Sequence, residues 1–280
     1  MKKESTGERL EFYDFSDVTV EHLHRYAIAN DFIEGKVVLD IASGEGYGSS
    51  ILAQKALKVI GVDIDIESVE DAKKKYIRNN LKYIVGSADN IPIESNSIDV
   101  VVSFETIEHH DKHDEMLMEI KRVLKKDGLL IMSSPDKKNY SDIPNFKNKF
   151  HIKELYYDEF ENLIKKYFKF SDFYVQKAYN LNSIVADFAD FSKMNVYSGS
   201  DLNVKQEENI HLYIIVVASE NNIVRLSTSL FNGCAINDLR TKQYLKINSE
   251  SIKSSSSYRL GNLIISPFFY LKKLFRHICN

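Results

Sequence analysis

Between residues 36 and 135, five short apolar runs alternate with stretches whose apolar residues recur every three or four positions. The runs are KVVLDIA (36–42), LKVIGVDI (57–64), LKYIVGSA (81–88), SIDVVVSFE (97–105) and GLLIMSSP (128–135). A strand with one wet face alternates apolar and polar side chains, whereas a nearly continuous apolar run is what a strand covered on both faces requires. The intervening YGSSILAQKA, ESVEDAKKKYIRN and HDEMLMEIKRVLKK have helical spacing, as in Met116, Ile120, Val123 and Leu124. Strand and helix in alternation predict an α/β fold, a doubly wound parallel sheet with helices on both faces.

Beyond Pro135 the pattern predicts a helix over 151–168, a strand over 170–179, a polar irregular stretch over 180–209 and a last strand over 210–219. Four regions follow: a lead-in with a lid helix (1–35), a ligand-binding domain (36–220), a polar linker (221–257) containing NSESIKSSSS, and a basic amphipathic helix (258–280). In that last segment Ile264, Phe268, Leu271, Phe275 and Ile278 share a helical face, with Lys272, Lys273 and Arg276 elsewhere. Such a tail docks on its own domain, on a partner protein or on the inner face of a membrane. Pro267 interrupts its first turn.

A net charge of −3 across 280 residues gives no electrostatic footprint for nucleic acid. Cys234 and Cys279, the only cysteines, make neither a disulfide framework nor a metal pair, which fits a reducing, cytoplasmic setting. The first residues lack the apolar core of a secretory signal, and no run approaches eighteen apolar residues.

Asp40 ends the first strand, ahead of Gly44, Gly46 and Gly48, and Asp63 ends the second. In a doubly wound sheet this first loop lies where the ligand sits, and its glycines let the backbone approach closely. A dinucleotide loop wants GxGxxG, and here Ser49 holds the sixth position; a P-loop wants GK[ST], and none follows. Asp63 is placed to accept from both hydroxyls of a ribose. Asp40 either caps the loop's N–H groups or meets the ligand, and Asp65 reads either as a solvent-facing neighbour or as the cap of the next helix.

These segments resemble the class I S-adenosylmethionine-dependent methyltransferases: VLDIASGEGYGS is similar to their first motif, GVDID to their second acidic motif, and GSADNIPIESNSIDVVVSFETIEHH to the adenine and post-strand-four segments. The resemblance implies a Rossmann-like seven-stranded sheet, mostly parallel with an antiparallel last strand, and S-adenosyl-L-methionine as cofactor. It implies Asp40, Gly44, Gly46, Asp63, Ile64, Ala88, Asp89 and Phe104 as its binding residues, Asp89 accepting from the adenine amino group. STGERLEF, FHIKELYYDEFENLI and SSSSYRLGNLIISPFFYLKKLF resemble a bacterial surface-polysaccharide subgroup, which implies a glycan or nucleotide-sugar acceptor and a glycosyltransferase partner.

A sugar hydroxyl attacks only as its proton leaves, and histidine is a suitable base near neutral pH. His109, in SFETIEHHDKH at the rim of the fourth strand, is the leading candidate, with Glu108 to orient it and His151 as a second base. Arg25, on the lid helix, is placed to pair with the cofactor carboxylate. The crowd of acids and histidines from Glu108 to His113 predicts no metal set, because neighbours in sequence need not converge. Alternatives are a methyltransferase for a lipid-like or other small metabolite, and a noncatalytic module recruiting glycosyltransferases.

Overall fold

The computed structural model describes residues 15–260. Residues 1–14 of the lead-in and 261–280 of the predicted tail helix lie outside the described residues.

Helix α1 (Asp17–Ala29) precedes strand β1 (Val37–Ile41), helix α2 (Tyr47–Leu52), β2 (Lys58–Asp63), α3 (Ile66–Lys75), β3 (Leu81–Val85), β4 (Ile98–Ser103), α4 (His113–Val123) and β5 (Leu124–Pro135). Then come α5 (Tyr157–Tyr167), β6 (Phe170–Tyr179), β7 (Asn182–Asp187), α6 (Phe188–Lys193), β8 (Val196–Ser200), β9 (Asn203–Glu207), β10 (Tyr213–Ser219) and β11 (Ser229–Phe231). The main sheet runs β11-β7-β6-β10-β5-β4-β1-β2-β3. β1 to β5 pair in parallel, and β10 lies antiparallel between β5 and β6. The Rossmann-like sheet with its antiparallel last strand is thus present.

Two strands extend it beyond the expected seven. β7 pairs antiparallel with β6, and β11 with β7. β7 follows a tight turn at Asn180 and Leu181, which take φ of 49° and 65°. The turn carries neither glycine nor proline, so the 180–209 stretch shows no break in sequence. Val185 and Ala186 are nonetheless buried.

The core has two layers, one on each face of the sheet. Leu39, Ile41, Val101, Leu130, Ile120 and Phe160 pack on one side, and Val38, Val100, Val102, Ile131, Ile215 and Leu52 on the other. Adjacent strand residues thus face opposite layers, and both layers are apolar, which is why these runs have no polar alternation.

The register aligns the strand ends. Ile41 stands opposite Val62 on one side and Ser103 on the other. The loops after β1, β2, β3 and β4 therefore emerge along one edge of the sheet. Between β1 and β4 the order of travel reverses, which opens the crevice.

The chain forms two compact units, the second starting at Cys234. Within it, helix α7 (Cys234–Ser254) occupies much of the predicted linker. No glycine or proline falls between Cys234 and Leu260, so nothing in the backbone stops a helix there, polar though it is. Among the described residues no helix is long and apolar enough to cross a membrane.

Candidate active site

A cavity of about 760 Å³ opens at that sheet edge, lined by the loops after β1 to β4, by α1 and by the segment between β5 and α5. The first loop turns tightly: Ala42, Gly44 and Gly46 have φ of 56°, 52° and 83°. Such angles cost an L side chain roughly 1–2 kcal/mol. At Gly46 a Cβ would also lie 2.6 Å from the Tyr83 Oη and 2.7 Å from the Ala72 Cβ. The Gly46 carbonyl accepts from that same hydroxyl at 2.6 Å, so loop and β3 touch with no room between.

The two acids do different jobs. Asp63 lines the cavity and accepts from the Gly44 amide at 2.7 Å and the Asp65 amide at 2.9 Å. Asp40 lies behind the loop, 1% exposed, accepting from the Ser49 hydroxyl at 2.6 Å and from Tyr26 at 3.5 Å. Burial pushes its carboxyl up to about 7. Asp40 does not line the cavity. Of the two readings, the sequence-level contact with ligand gives way to a structural one, although the acid holds the first turn of α2 through a side chain rather than through loop amides. Of the two readings of Asp65, the structure shows the cap of α3.

Ile64, Ala88, Asp89 and Phe104 all line the cavity. Ile64 is 71% exposed at its mouth, an apolar flank of the kind a purine ring can cover. Asp89 carries the Lys112 ammonium at 2.6 Å and accepts from the Ser87 hydroxyl. Those two partners hold its carboxyl down at about 2. Phe104 meets the Tyr26 ring edge to face at 5.1 Å. Gly44 lines the cavity, and a Cβ there would meet nothing within 4 Å. Its partner Gly46 is turned into the fold instead.

Arg25 corrects a second expectation. It is 1% exposed and does not line the cavity. Its Nε donates to Gln176 Oε1 at 2.7 Å, Nη1 lies 3.2 Å from Glu105 Oε1, and the guanidinium sits 4.4 Å over the Tyr213 ring. Glu105 and Tyr213 do line the cavity, so the arginine acts from behind them. Glu105 has a φ of 50° and accepts from Ser133 at 2.6 Å.

At the other end, a single 3₁₀ turn (Ile107–His109) follows β4. The Glu108 carbonyl accepts from the Ile152 and Lys153 amides at 2.8 and 3.1 Å, which draws the chain before α5 against this turn. His151 therefore lies in a loop stretch rather than opening the helix, which starts at Tyr157. The His109 and His151 rings stand perpendicular, 5.1 Å between centroids. His109 Nδ1 is 3.1 Å from the Phe150 carbonyl and His151 Nδ1 contacts Glu154, so in each ring Nδ1 carries the proton and Nε2 the lone pair. Asn148 donates to His151 Nε2 at 2.9 Å.

Glu108 is 1% exposed, with Oε1 4.0 Å from His109 Nε2, and neither oxygen has a hydrogen-bond partner. Burial, and then the charge of Glu105, push its carboxyl well above the ordinary range. Glu108, His109 and His151 offer ligand atoms all within 4.8 Å of one another. His110, Asp111 and His113 do not join them. The stretch from 108 to 113 thus fails to converge as a whole, while a histidine from forty residues on completes a set the sequence did not predict.

Tyr140, Asn148 and Tyr213 also line the cavity and were not identified from sequence. Tyr140 stacks on His151 at 5.4 Å. It lies in a polar stretch without periodicity, which gave no signal. Tyr213 had one: it opens the antiparallel strand at the edge where the parallel strands end.

Residues 39–132 match a family model described as a methyltransferase domain. The fold is that of the S-adenosylmethionine-dependent methyltransferase of Archaeoglobus fulgidus, with a TM-score of 0.53 and 16% identity over 73% of this chain and 95% of that one. The YcgJ protein of Bacillus subtilis aligns with a TM-score of 0.52 and 16% identity over 72% of this chain and all of that one. Residues 39–132 are thus similar to a methyltransferase domain, carried on a fold shared with these two proteins. Among curated relatives, a probable S-adenosylmethionine-dependent methyltransferase of Mycolicibacterium smegmatis is 34% identical over 47% of this chain and 51% of its own. A fatty-acid O-methyltransferase of the same organism is 26% identical over 45% of this chain and 49% of its own. The chain spans about half the length of the curated relatives it matches.

The residues fit S-adenosylmethionine as the donor. Gly44 presents an open, left-handed backbone to the cavity, and Asp63 and Ile64 stand beside it at the end of β2.

Proposed function

We propose that the protein is an S-adenosylmethionine-dependent O-methyltransferase acting on a hydroxyl of a sugar, in a bacterial surface glycan or a nucleotide-sugar precursor. Bound S-adenosylmethionine supplies an electrophilic methyl group on a sulfonium. Gly44, Asp63, Ile64, Ala88, Asp89 and Phe104 hold it, with Arg25 fixing Glu105 from behind. The chain's remaining task is to set an acceptor oxygen in line and to take its proton.

The observation that carries this reading is the tautomer of His109. Its Nδ1–H is spent on the Phe150 carbonyl at 3.1 Å, so the cavity-lining imidazole offers Nε2 as the proton acceptor. The Glu108 carbonyl ties the turn that carries His109 to the Ile152 and Lys153 amides, while burial and then the Glu105 charge push the Glu108 carboxyl well above the ordinary range. His151 flanks the same oxygen. Tyr140, Tyr213, Asn148 and the histidines give the acceptor end aromatic faces among polar groups, which suits the C–H faces and hydroxyls of a sugar.

A second reading, a lipid-like acceptor, is favoured by one observation: a curated relative is a fatty-acid O-methyltransferase and another, from Mycobacterium ulcerans, a phthiotriol/phenolphthiotriol dimycocerosates methyltransferase. Release of S-adenosylhomocysteine should be measured with nucleotide sugars, oligosaccharides, fatty acids and lipid alcohols in parallel. Turnover confined to the sugars supports the glycan reading, and turnover confined to the lipids replaces it.

A further inference from the structure

We propose that Glu108, His109 and His151 form a binding site for one divalent first-row transition-metal ion. Three observations combine. Their ligand atoms lie within 4.8 Å of one another, on the cavity wall. Glu108 is a side chain 1% exposed whose two oxygens have no hydrogen-bond partner, a costly arrangement that a cation would relieve. Both imidazoles are oriented from outside in the way metal-ligating histidines are: Nδ1 of His109 gives its hydrogen to the Phe150 carbonyl and Nδ1 of His151 to the Glu154 carboxylate, which directs Nε2 inward.

The set is held by the backbone rather than by chance of rotamer. The Glu108 carbonyl takes the Ile152 and Lys153 amides, so the turn bearing two donors and the loop bearing the third move together. An ion about 2.1 Å from each donor places neighbouring donors roughly 3–3.5 Å apart. The cluster must close by about 1 Å, and Asn148 must release His151 Nε2, which it now meets at 2.9 Å. Both are side-chain adjustments. One carboxylate with two imidazoles favours manganese, iron, cobalt or zinc over magnesium or calcium, whose preferred donors are oxygens. Three protein donors leave positions open toward the cavity.

The site stands on geometry, and only its consequence rests on the methyl-transfer reading: the ion and the acceptor's proton compete for His109 Nε2. In the metal-free chain that nitrogen is a base; in the loaded chain it is a ligand, and an acceptor oxygen at an open position is acidified by the ion instead.

The test uses the full, tag-free chain. Cobalt(II) is titrated and followed by its visible absorption, and zinc and manganese by calorimetry, in the wild type and in Glu108→Gln and His151→Asn. Binding of S-adenosylhomocysteine and the melting temperature are measured on the same samples. One ion per chain is expected in the wild type, with affinity falling at least tenfold in each variant while both variants keep the wild-type melt. No binding of any of the three ions, or equal binding in wild type and both variants, overturns the site. Loss of S-adenosylhomocysteine binding in the wild type would instead overturn the methyltransferase reading and leave the ion result standing.

Discussion

The Gly44 amide donates to the Asp63 carboxylate at 2.7 Å, tying the loop after the first strand to the end of the second. One carboxylate thereby sets the loop's shape and remains at the cavity wall. A hydrogen bond to a charged group is worth about 1.5–3 kcal/mol. Asp63→Ala should therefore weaken S-adenosylhomocysteine binding by roughly 10- to 100-fold, read by calorimetry. Unchanged affinity would remove Asp63 from the donor site.

Gly46 has a φ of 83° and lies against Tyr83 and Ala72. Gly46→Ala adds left-handed strain of about 1–2 kcal/mol and overpacking of about 1–3 kcal/mol. The melting temperature should drop by several degrees. Gly44→Ala has the strain without the collision. Its melt should change less, which calorimetric scans of the two variants side by side would show.

For His109 the kinetic expectation is a loss in kcat of about 10²- to 10⁴-fold in His109→Ala, as for removal of a general base. Affinity for S-adenosylhomocysteine should stay as it is. A drop in donor affinity with kcat preserved would move His109 to the donor side.

Asp40 predicts a pH dependence. Its folded carboxyl is raised to about 7 by burial against an ordinary value near 3.8, so between about pH 4 and 7 the folded chain holds a proton that the unfolded chain has lost. Stability must then fall as pH rises through that window. Asp40→Asn keeps an acceptor for Ser49 and removes the titration, so its urea midpoint should vary less from pH 4 to 7 than that of the wild type. Parallel curves for the two proteins would contradict the assignment.

One wall of the cavity was readable because its residues fall in chain order at the ends of consecutive strands. Gly44, Asp63, Ile64, Ala88, Asp89 and Phe104 each follow an apolar run that fixes where the loop begins. Arg25 and His151 were not readable in the same way. A single arginine in a mixed helix carries no mark of burial. It is taken inside only because Gln176, Glu105 and Tyr213 arrive from three other strands or strand ends. His151 is positioned by two amides that bond to a carbonyl more than forty residues earlier, a contact with no local signature. The strand after Tyr179 escaped notice because its turn uses Asn180 and Leu181 in place of glycine.

The stretch carrying Tyr140 and Asn148 is stapled at its base: the Lys137 amide bonds to the Leu155 carbonyl at 3.0 Å, and the Ile152 and Lys153 amides to Glu108. A closed base lets the span above it change in length and side chains at small entropic cost, since loop closure grows only slowly with length. The span 138–150 can therefore be rewritten, together with the side chains Tyr140 and Asn148 that it lends to the cavity wall, while the loops after β1 to β4 keep their geometry.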